Sequence, residues 1–206
     1  MLLFVVVLVP ILCLAFLYSE SIIDLSQEWS QEEGETSHTF TPEINPDFEC
    51  KHIGTEVDGI TYVQVGADGH KITLCDNPEA TDVTWSVLQE FLWEDKTDEI
   101  PYSEETFVCA DFAELLHNRA EAAGICAAWV GIEFYHSDVG HGLNAFNTTD
   151  RGLVFIDVVN GDVARCSSDK IATVIVGKRL TFELIFRCPG ISLLPMGVVK
   201  EISITW

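Results

Sequence analysis

The chain has 206 residues, of which 48% are hydrophobic and 21% are charged, and this composition is typical of a globular protein with room for one well-buried domain. Its 33 acidic residues against 11 basic ones give a formal net charge of −22. Most of such a surface repels the phosphate backbone of a nucleic acid, so we expect no nucleic-acid partner.

The N-terminal segment predicts export. The first 18 residues, MLLFVVVLVPILCLAFLY, carry no charged side chain, which is typical of either a cleaved signal peptide or an N-terminal membrane anchor. Residues 19–48 are acidic and rich in Ser, Thr and Glu without a sustained hydrophobic period, so they predict a flexible stalk. We therefore expect an extracytoplasmic domain over residues 49–206, secreted or held at the membrane through an uncleaved apolar segment.

The cysteines agree with export, because disulfides persist outside the cytoplasm. The preferred disulfide pairs are Cys50 with Cys75 and Cys166 with Cys188, because each pair would bracket a predicted hairpin. Four cysteines allow three connectivities, so the other two pairings stay open. Cys126 is then a spare buried thiol. The sequence contains no CxxC motif, so the common zinc and dithiol signatures are absent.

The first half of the domain predicts a hairpin and two helices. GITYVQV and HKITLCD, joined by the turn-prone GADG, predict a hairpin near residues 59–76. TDVTWSVLQEFLWED follows as an amphipathic helix with Thr81 or Asp82 as its N-cap. The apolar residues of ETFVCADFAELLHNRAEAAG recur at helical spacing, which predicts a second helix that ends at Gly124.

The second half changes to strands. β-branched and aromatic runs are separated by Gly, Asp, Asn or Pro, and they are ICAAWVGIEFY, HGLNAF, RGLVFIDVV, ATVIVG, RLTFELIF and VVKEISITW. Helices first and strands afterwards, without a βαβ alternation, predict an α+β fold in which N-terminal helices pack on an antiparallel sheet. A weaker alternative is that the strands after residue 160 form a separate adhesive module.

Three residues in this framework have the chemistry of a thiol enzyme. Cys109 lies on the apolar side of the second helix near its start, His141 opens a strand, and Asp157 interrupts an otherwise apolar strand where a carboxylate needs a partner. The NTTDRG segment predicts a turn, so the His and Asp strands are expected to be neighbours whose side chains meet on one face. A thiolate, an imidazole and an orienting carboxylate are what cysteine acyl transfer requires. Two alternatives stay open: Cys109 as an inert structural thiol, and His136 in place of His141 as the base.

We expect the other ionisable residues of this region to lie at the surface. His117, Glu114 and Glu121 are interpreted as the polar, solvated face of the Cys109 helix. His70 falls in a predicted turn.

The segments FVCADFAELLHNRAEAAGICAAWVGIEF, GHGLNAF and GLVFIDV resemble the core of the transglutaminase-like superfamily over about residues 81–160. The resemblance implies a papain-like α+β fold, with Cys109 as nucleophile, His141 as general base and acid, and Asp157 as the orienting carboxylate. In many relatives an aromatic residue follows the His by one or two positions, whereas Gly142 and Leu143 follow it here.

The resemblance also implies an oxyanion-stabilising group upstream of the Cys. The candidates are Gln89, Trp85, Tyr102 and Trp93, and the sequence does not choose among them. The acidic metal-binding loop of the animal cross-linking enzymes is not evident, so calcium is not implied and no metal or other cofactor is expected.

These observations lead to two functional hypotheses. The first is an exported transglutaminase-like cysteine peptidase, amidase or acyltransferase that acts on amide bonds of a protein or peptide through a thioester, with hydrolysis favoured over cross-linking. The second is a non-catalytic cell-surface binding domain that keeps the Cys-His-Asp scaffold as a buried polar network.

Overall fold

The computed structural model describes residues 47–57, 60–159, 167–188 and 192–206. These parts of the chain contain ten β-strands and two α-helices. The predicted signal peptide or anchor, and the predicted stalk up to residue 46, lie outside these ranges. Within the described ranges, neither helix combines the length and the apolar character needed to cross a lipid bilayer. The mixture of helices and antiparallel strands agrees with the α+β prediction.

The strands are β1 Glu49–His52, β2 Gly54–Val57, β3 Ile60–Val63, β4 Thr73–Asp76, β5 Ala128–Phe134, β6 His141–Thr148, β7 Gly152–Asp157, β8 Lys170–Thr173, β9 Thr181–Leu184 and β10 Val199–Thr205. The helices are α1 Trp85–Glu94 and α2 Cys109–Ala122, and a 3₁₀ turn, Thr97–Glu99, lies between them.

The main sheet has six strands in the order β10-β5-β6-β7-β8-β9, and every neighbouring pair is antiparallel. Each of the six predicted strand segments contributes one strand. Because β8, β9 and β10 continue the sheet that holds β6 and β7, the alternative of a separate module after residue 160 is wrong.

Helix α1 supplies one side of the core beneath this sheet. Trp85, Leu88 and Leu92 are buried at helical spacing, where they pack in one cluster with Phe112 and Phe146. The helix begins later than predicted. Its N-cap is Thr84, whose Oγ1 accepts a hydrogen bond from the Val87 amide at 3.4 Å, and not Thr81 or Asp82.

The predicted hairpin over residues 59–76 is only partly right. The turn is present at Gly66–Gly69, and a single bridge joins Val65 to Lys71. The strands themselves pair with earlier segments: β3 with β2, and β4 with β1. The physical reason is burial, since Ile72 and Leu74 are fully buried in a cluster that also contains Ala113 of α2.

The disulfide Cys50–Cys75 is confirmed, and it joins directly opposite residues of β1 and β4. Cys188 is also disulfide-bonded, while its predicted partner Cys166 lies outside the described residues. Cys126 is a free thiol as predicted, although it is only partly buried.

Helix α2 is covered on two sides, because it packs on β6 of the main sheet and on β4 of the two-stranded sheet β1–β4. The expectation of a solvated polar face is therefore wrong. His117 is fully buried, and its Nε2 lies 3.2 Å from Asp76 Oδ1. Glu121 is buried as well and accepts hydrogen bonds from the amides of Asn77 and Ala127. The β1–β4 sheet packs on the polar face of α2, which the sequence pattern had predicted to be exposed to water.

Candidate active site

Cys109 is the first residue of helix α2 and is partly buried. The residue before it, Val108, donates its amide to Asp111 Oδ2 at 2.7 Å, and this hydrogen bond fixes the first turn. A helix start carries unpaired amides and partial positive charge, so it favours an anionic sulfur at this position.

His141 and Asp157 lie on neighbouring strands. His141 opens β6 and Asp157 closes β7, and the antiparallel register of these two strands places both residues at the same end of the sheet. His141 Nε2 lies 2.9 Å from Asp157 Oδ2, and both side chains are buried. The His141 ring is also close enough to the Cys109 thiol to lower the pKa of the thiol, while the thiol raises the pKa of the ring. With Nε2 held by the carboxylate, Nδ1 is the ring nitrogen left for sulfur. The three predicted residues therefore form one continuous cluster.

The charges of this cluster support one another. Burial opposes the imidazolium form of His141, but hydrogen bonds to Asp157 and Cys109 outweigh it and raise the pKa of the ring to about 9. Burial likewise opposes the thiolate, yet hydrogen bonds from His141 and from the Gly142 amide lower the pKa of the Cys109 thiol. A thiolate next to an imidazolium is the form of this pair that reacts with a carbonyl group.

Lys170, the first residue of β8, completes the cluster. Its Nζ lies 3.5 Å from Asp157 Oδ1 and donates to the carbonyl oxygens of Val159 and Ser168 at 2.8 and 3.0 Å. Asp157 Oδ1 also accepts from the Val159 amide at 2.8 Å. Burial by itself raises the pKa of Asp157, but the charge of Lys170 and the hydrogen bond with His141 bring it below its ordinary value. The carboxylate therefore stays ionised although its side chain is buried.

The contact between α2 and β6 is made backbone to backbone. A β-carbon at Gly142 would lie 2.9 Å from the Cys109 carbonyl oxygen and 3.2 Å from the Ala110 Cα. Any larger residue would push the helix start away from the His141 strand. The Gly that directly follows His141 thus has a steric reason.

Two cavities adjoin the Cys109–His141 pair. One, of about 380 Å³, is mostly apolar, and its lining includes Val159, Phe182, Leu184, Leu194 and Met196. The other, of about 650 Å³, is more polar, and its lining includes Gln64, Ser137, Glu133, Lys200 and Ser203. Cys109 and His141 line both cavities.

The upstream oxyanion candidates separate in space. Tyr102 lines the apolar cavity together with Cys109, and burial followed by the nearby Cys109 raises the pKa of its hydroxyl. Trp85 is buried in the core beneath Arg151, whose guanidinium lies 4.8 Å from the ring centroid. Trp93 is exposed and contacts Phe186 edge-to-face, and Gln89 is not among the described residues that line either cavity.

His136, the alternative base, lies in the exposed turn after β5 with a positive φ of 62°. The structure does not bring it to the Cys109 sulfur, where the ring partner is His141.

Sequence reasoning missed Lys170, and it noted Gly142 without recognising its role at the contact between α2 and β6. A signal for Lys170 existed, because a Lys that opens a strand of alternating burial needs an acidic partner if it is covered. The sequence signal for Gly142 was weaker: a Gly directly after His141 has no turn to explain it.

Comparison of the chain with protein-family models, with curated proteins and with solved structures finds no match.

Proposed function

We propose that this chain is an exported, transglutaminase-like cysteine enzyme that cleaves amide bonds of protein or peptide substrates through a thioester. The observation that carries the proposal is the cluster Cys109–His141–Asp157, with Cys109 at a helix start and in the lining of two cavities. The resemblance to the transglutaminase-like core and its papain-like arrangement belongs to the same proposal.

In the first half of the reaction, the Cys109 sulfur attacks the carbonyl carbon of a bound amide, and the carbonyl π electrons move to oxygen. The tetrahedral intermediate then collapses, the C–N bond breaks, and His141 gives its proton to the departing nitrogen. An amine leaves, and the acyl group remains on sulfur as a thioester. Asp157 holds the ring in place and stabilises its charged form.

In the second half, His141 takes a proton from water as the water oxygen attacks the thioester carbon. The C–S bond breaks, a carboxylic acid departs, and the cluster returns to its starting charge. An amine in place of water would give transfer instead. The polar cavity on one side of the sulfur supports water as the acceptor, since it reaches Cys109 without crossing the apolar lining.

Tyr102 is the proposed donor to the oxyanion. It is the upstream candidate that lines one of these two cavities together with Cys109, and its hydroxyl is a hydrogen-bond donor. A hydrogen-bond donor aimed at the developing charge is the usual largest contribution to acyl-transfer catalysis.

An extracytoplasmic location is part of this proposal. The disulfide Cys50–Cys75 supports it, because such bonds persist in oxidising compartments. The apolar N-terminal residues support it from the sequence side.

The test uses a defined peptide mixture in ¹⁸O-labelled water with the full chain in mild detergent. Hydrolysis places one ¹⁸O in each new carboxyl group, and transfer to an amine places none, so mass spectrometry separates the two outcomes. Cys109→Ala should abolish both products, and Cys126→Ala, which removes the other free thiol found in the described part of the chain, should retain them. If the Cys109→Ala chain gives the same products, or the unmodified chain gives none with any peptide, the non-catalytic binding domain replaces this proposal.

A further inference from the structure

A second cluster of ionisable side chains lies on the far side of the first turn of α2. It consists of His70, from the turn between β3 and β4, and of Asp111 and Glu114 on the helix, and one ligand-type atom from each lies within 4.8 Å of the others. None of the three takes part in the chemistry proposed for Cys109. Sequence patterns did not suggest the cluster, because His70 is 44 positions away from Glu114.

The geometry points to a binding site for a divalent transition-metal ion, with Zn²⁺ as the best fit, formed by His70 Nε2, Asp111 Oδ1 and Glu114 Oε2. His70 Nε2 lies 2.8 Å from Glu114 Oε2 and 3.6 Å from Asp111 Oδ1. Two ligands held at about 2.0–2.1 Å by a tetrahedral ion are roughly 3.3 Å apart, so both separations are close to what such an ion imposes.

The buried carboxylate of Asp111 is an independent observation that points to a bound cation. Its side chain is only 2% exposed, and its Oδ1 accepts no hydrogen bond, although it faces His70. The other oxygen, Oδ2, is fully used by the amides of Val108 and Ala67. Helix capping therefore explains one oxygen of this carboxylate and leaves the second, buried and negatively charged, without a donor. Such an atom is costly unless a cation meets it.

The imidazole is prepared in the way that metal-bound histidines usually are. His70 Nδ1 lies 2.5 Å from Asp68 Oδ1, and this carboxylate fixes the ring so that Nε2 points to Asp111 and Glu114. A carboxylate behind the ring makes the ligating nitrogen a stronger donor. Glu114 is oriented too, because its Oε1 accepts from the Thr73 amide at 2.7 Å.

Gly66, in the turn that carries His70, lets the backbone lie directly against the proposed ligands. A β-carbon at Gly66 would lie 1.9 Å from Asp111 Oδ1 and 2.3 Å from the His70 ring. The turn therefore brings its backbone against both ligands, which is possible only with Gly at that position.

The choice of ion follows from the ligands. One imidazole nitrogen and two carboxylate oxygens suit Zn²⁺ with a water in the fourth position, whereas Ca²⁺ takes six to eight oxygens and Mg²⁺ prefers an octahedral oxygen shell. Three carboxylates, from Asp68, Asp111 and Glu114, surround the His70 ring, so a divalent charge is favoured.

A bound ion would connect the β3–β4 turn to α2 at Asp111, two residues beyond Cys109, and it would stabilise the helix start.

The test is calorimetric titration of Zn²⁺ into the chelator-treated full chain in a Cys109→Ser background, since the Cys109–His141 pair would itself bind zinc. His70→Ala should remove one equivalent or weaken it at least 100-fold. His52→Ala, which changes another exposed histidine of the same part of the chain, should bind like the parent. Asp68→Asn, which removes only the supporting carboxylate, should weaken binding about 10- to 100-fold.

A second readout guards against a variant that merely misfolds. Saturating Zn²⁺ should raise the thermal unfolding midpoint of the Cys109→Ser chain and should leave that of its His70→Ala derivative unchanged. Equal Zn²⁺ affinity and stoichiometry in the His70→Ala and His52→Ala chains would overturn the proposal, as would tighter binding of Ca²⁺ than of Zn²⁺. Because the readouts are binding and stability, the result is independent of whether Cys109 is catalytic.

Discussion

The Cys109 carbonyl group lies so close to Gly142 that a β-carbon there would stand 2.9 Å from the carbonyl oxygen. Gly142→Ala should therefore displace the start of α2 from β6 and slow alkylation of Cys109 by at least tenfold, because the thiol loses the His141 ring and the Gly142 amide together. Quantitative mass spectrometry of iodoacetamide-treated protein measures the rate.

Gly152→Ala is the matched control for that change. Gly152 has a φ of 72° with open space around it, so alanine there costs about 1 kcal/mol of stability through backbone strain and touches nothing near Cys109. If both variants lose stability and neither changes the alkylation rate, the close approach at Gly142 does not position the thiol.

Lys170 should be a stability residue of the cluster. Lys170→Met removes one of the two cations beside Asp157 and the side-chain donor to the carbonyl groups of Val159 and Ser168, and we expect a loss of about 3 kcal/mol in the free energy of unfolding. Urea denaturation measures it. Lys200→Met breaks the exposed pair with Glu133, and no measurable change is expected there. Equal losses in the two variants would refute the role given to Lys170.

Asp169 should make stability fall as the pH rises from about 4 to about 7. Burial, and then the neighbouring Asp98, raise the pKa of this carboxyl to about 7, with Asp95 adding to the increase and Lys170 opposing it. In the unfolded chain the group titrates near 4. The folded state therefore binds the proton more tightly between these values, and its advantage is lost above pH 7.

Asp169→Asn removes that dependence. At a pH above 7 the variant should be more stable than the parent, by on the order of 3 kcal/mol, and near pH 4 the two should be alike. Thermal unfolding across this range measures the difference. A parent chain whose stability rises through the same window, with the variant following it in parallel, would contradict the assignment.

The Cys50–Cys75 disulfide should stabilise the domain by about 3 kcal/mol, since it closes a loop of 25 residues between β1 and β4. The double variant Cys50→Ala with Cys75→Ala tests this without reducing the bond of Cys188. Cys126→Ala removes a free thiol and serves as the control. Denaturant midpoints that do not separate the two variants would show that packing alone holds β1 on β4.

Local periodicity predicted most of the fold. The alternation and β-branched content of residues 125–206 gave all six strands of the main sheet, and the His141 and Asp157 strands are neighbours because a short turn joins them. Gly124, with its positive φ, ends α2 as its sequence position indicated.

Long-range contacts were beyond the same reasoning. The pairing of β1 with β4 depends on how Ile72 and Leu74 pack, and nothing local to HKITLCD distinguishes that pairing from a hairpin with GITYVQV. The burial of His117 and Glu121 follows from that same pairing, because β4 covers a helix face that is polar in sequence.

For the candidate site, the three main residues were predictable and their supporting contacts were not. A Cys at a helix start, a His that opens a strand and an Asp in an apolar strand each violate a local expectation, which is why they are visible. Lys170 is ordinary in its own segment and gains a role only from its contact with Asp157, and Tyr102, one of four upstream candidates in the sequence, is separated from the others only by the cavity that it lines.

The most direct test is the alkylation rate of Cys109 near pH 7 in the full chain with chelator present, compared with His141→Ala and with Cys126 as the internal reference thiol. An ordinary thiol has a pKa of about 8.5 and is mostly protonated there. Our account predicts that Cys109 reacts at least tenfold faster than Cys126 and that His141→Ala abolishes the difference. A Cys109 that stays unreactive until the protein is denatured, or that reacts at the same rate without His141, would contradict the proposed thiol chemistry.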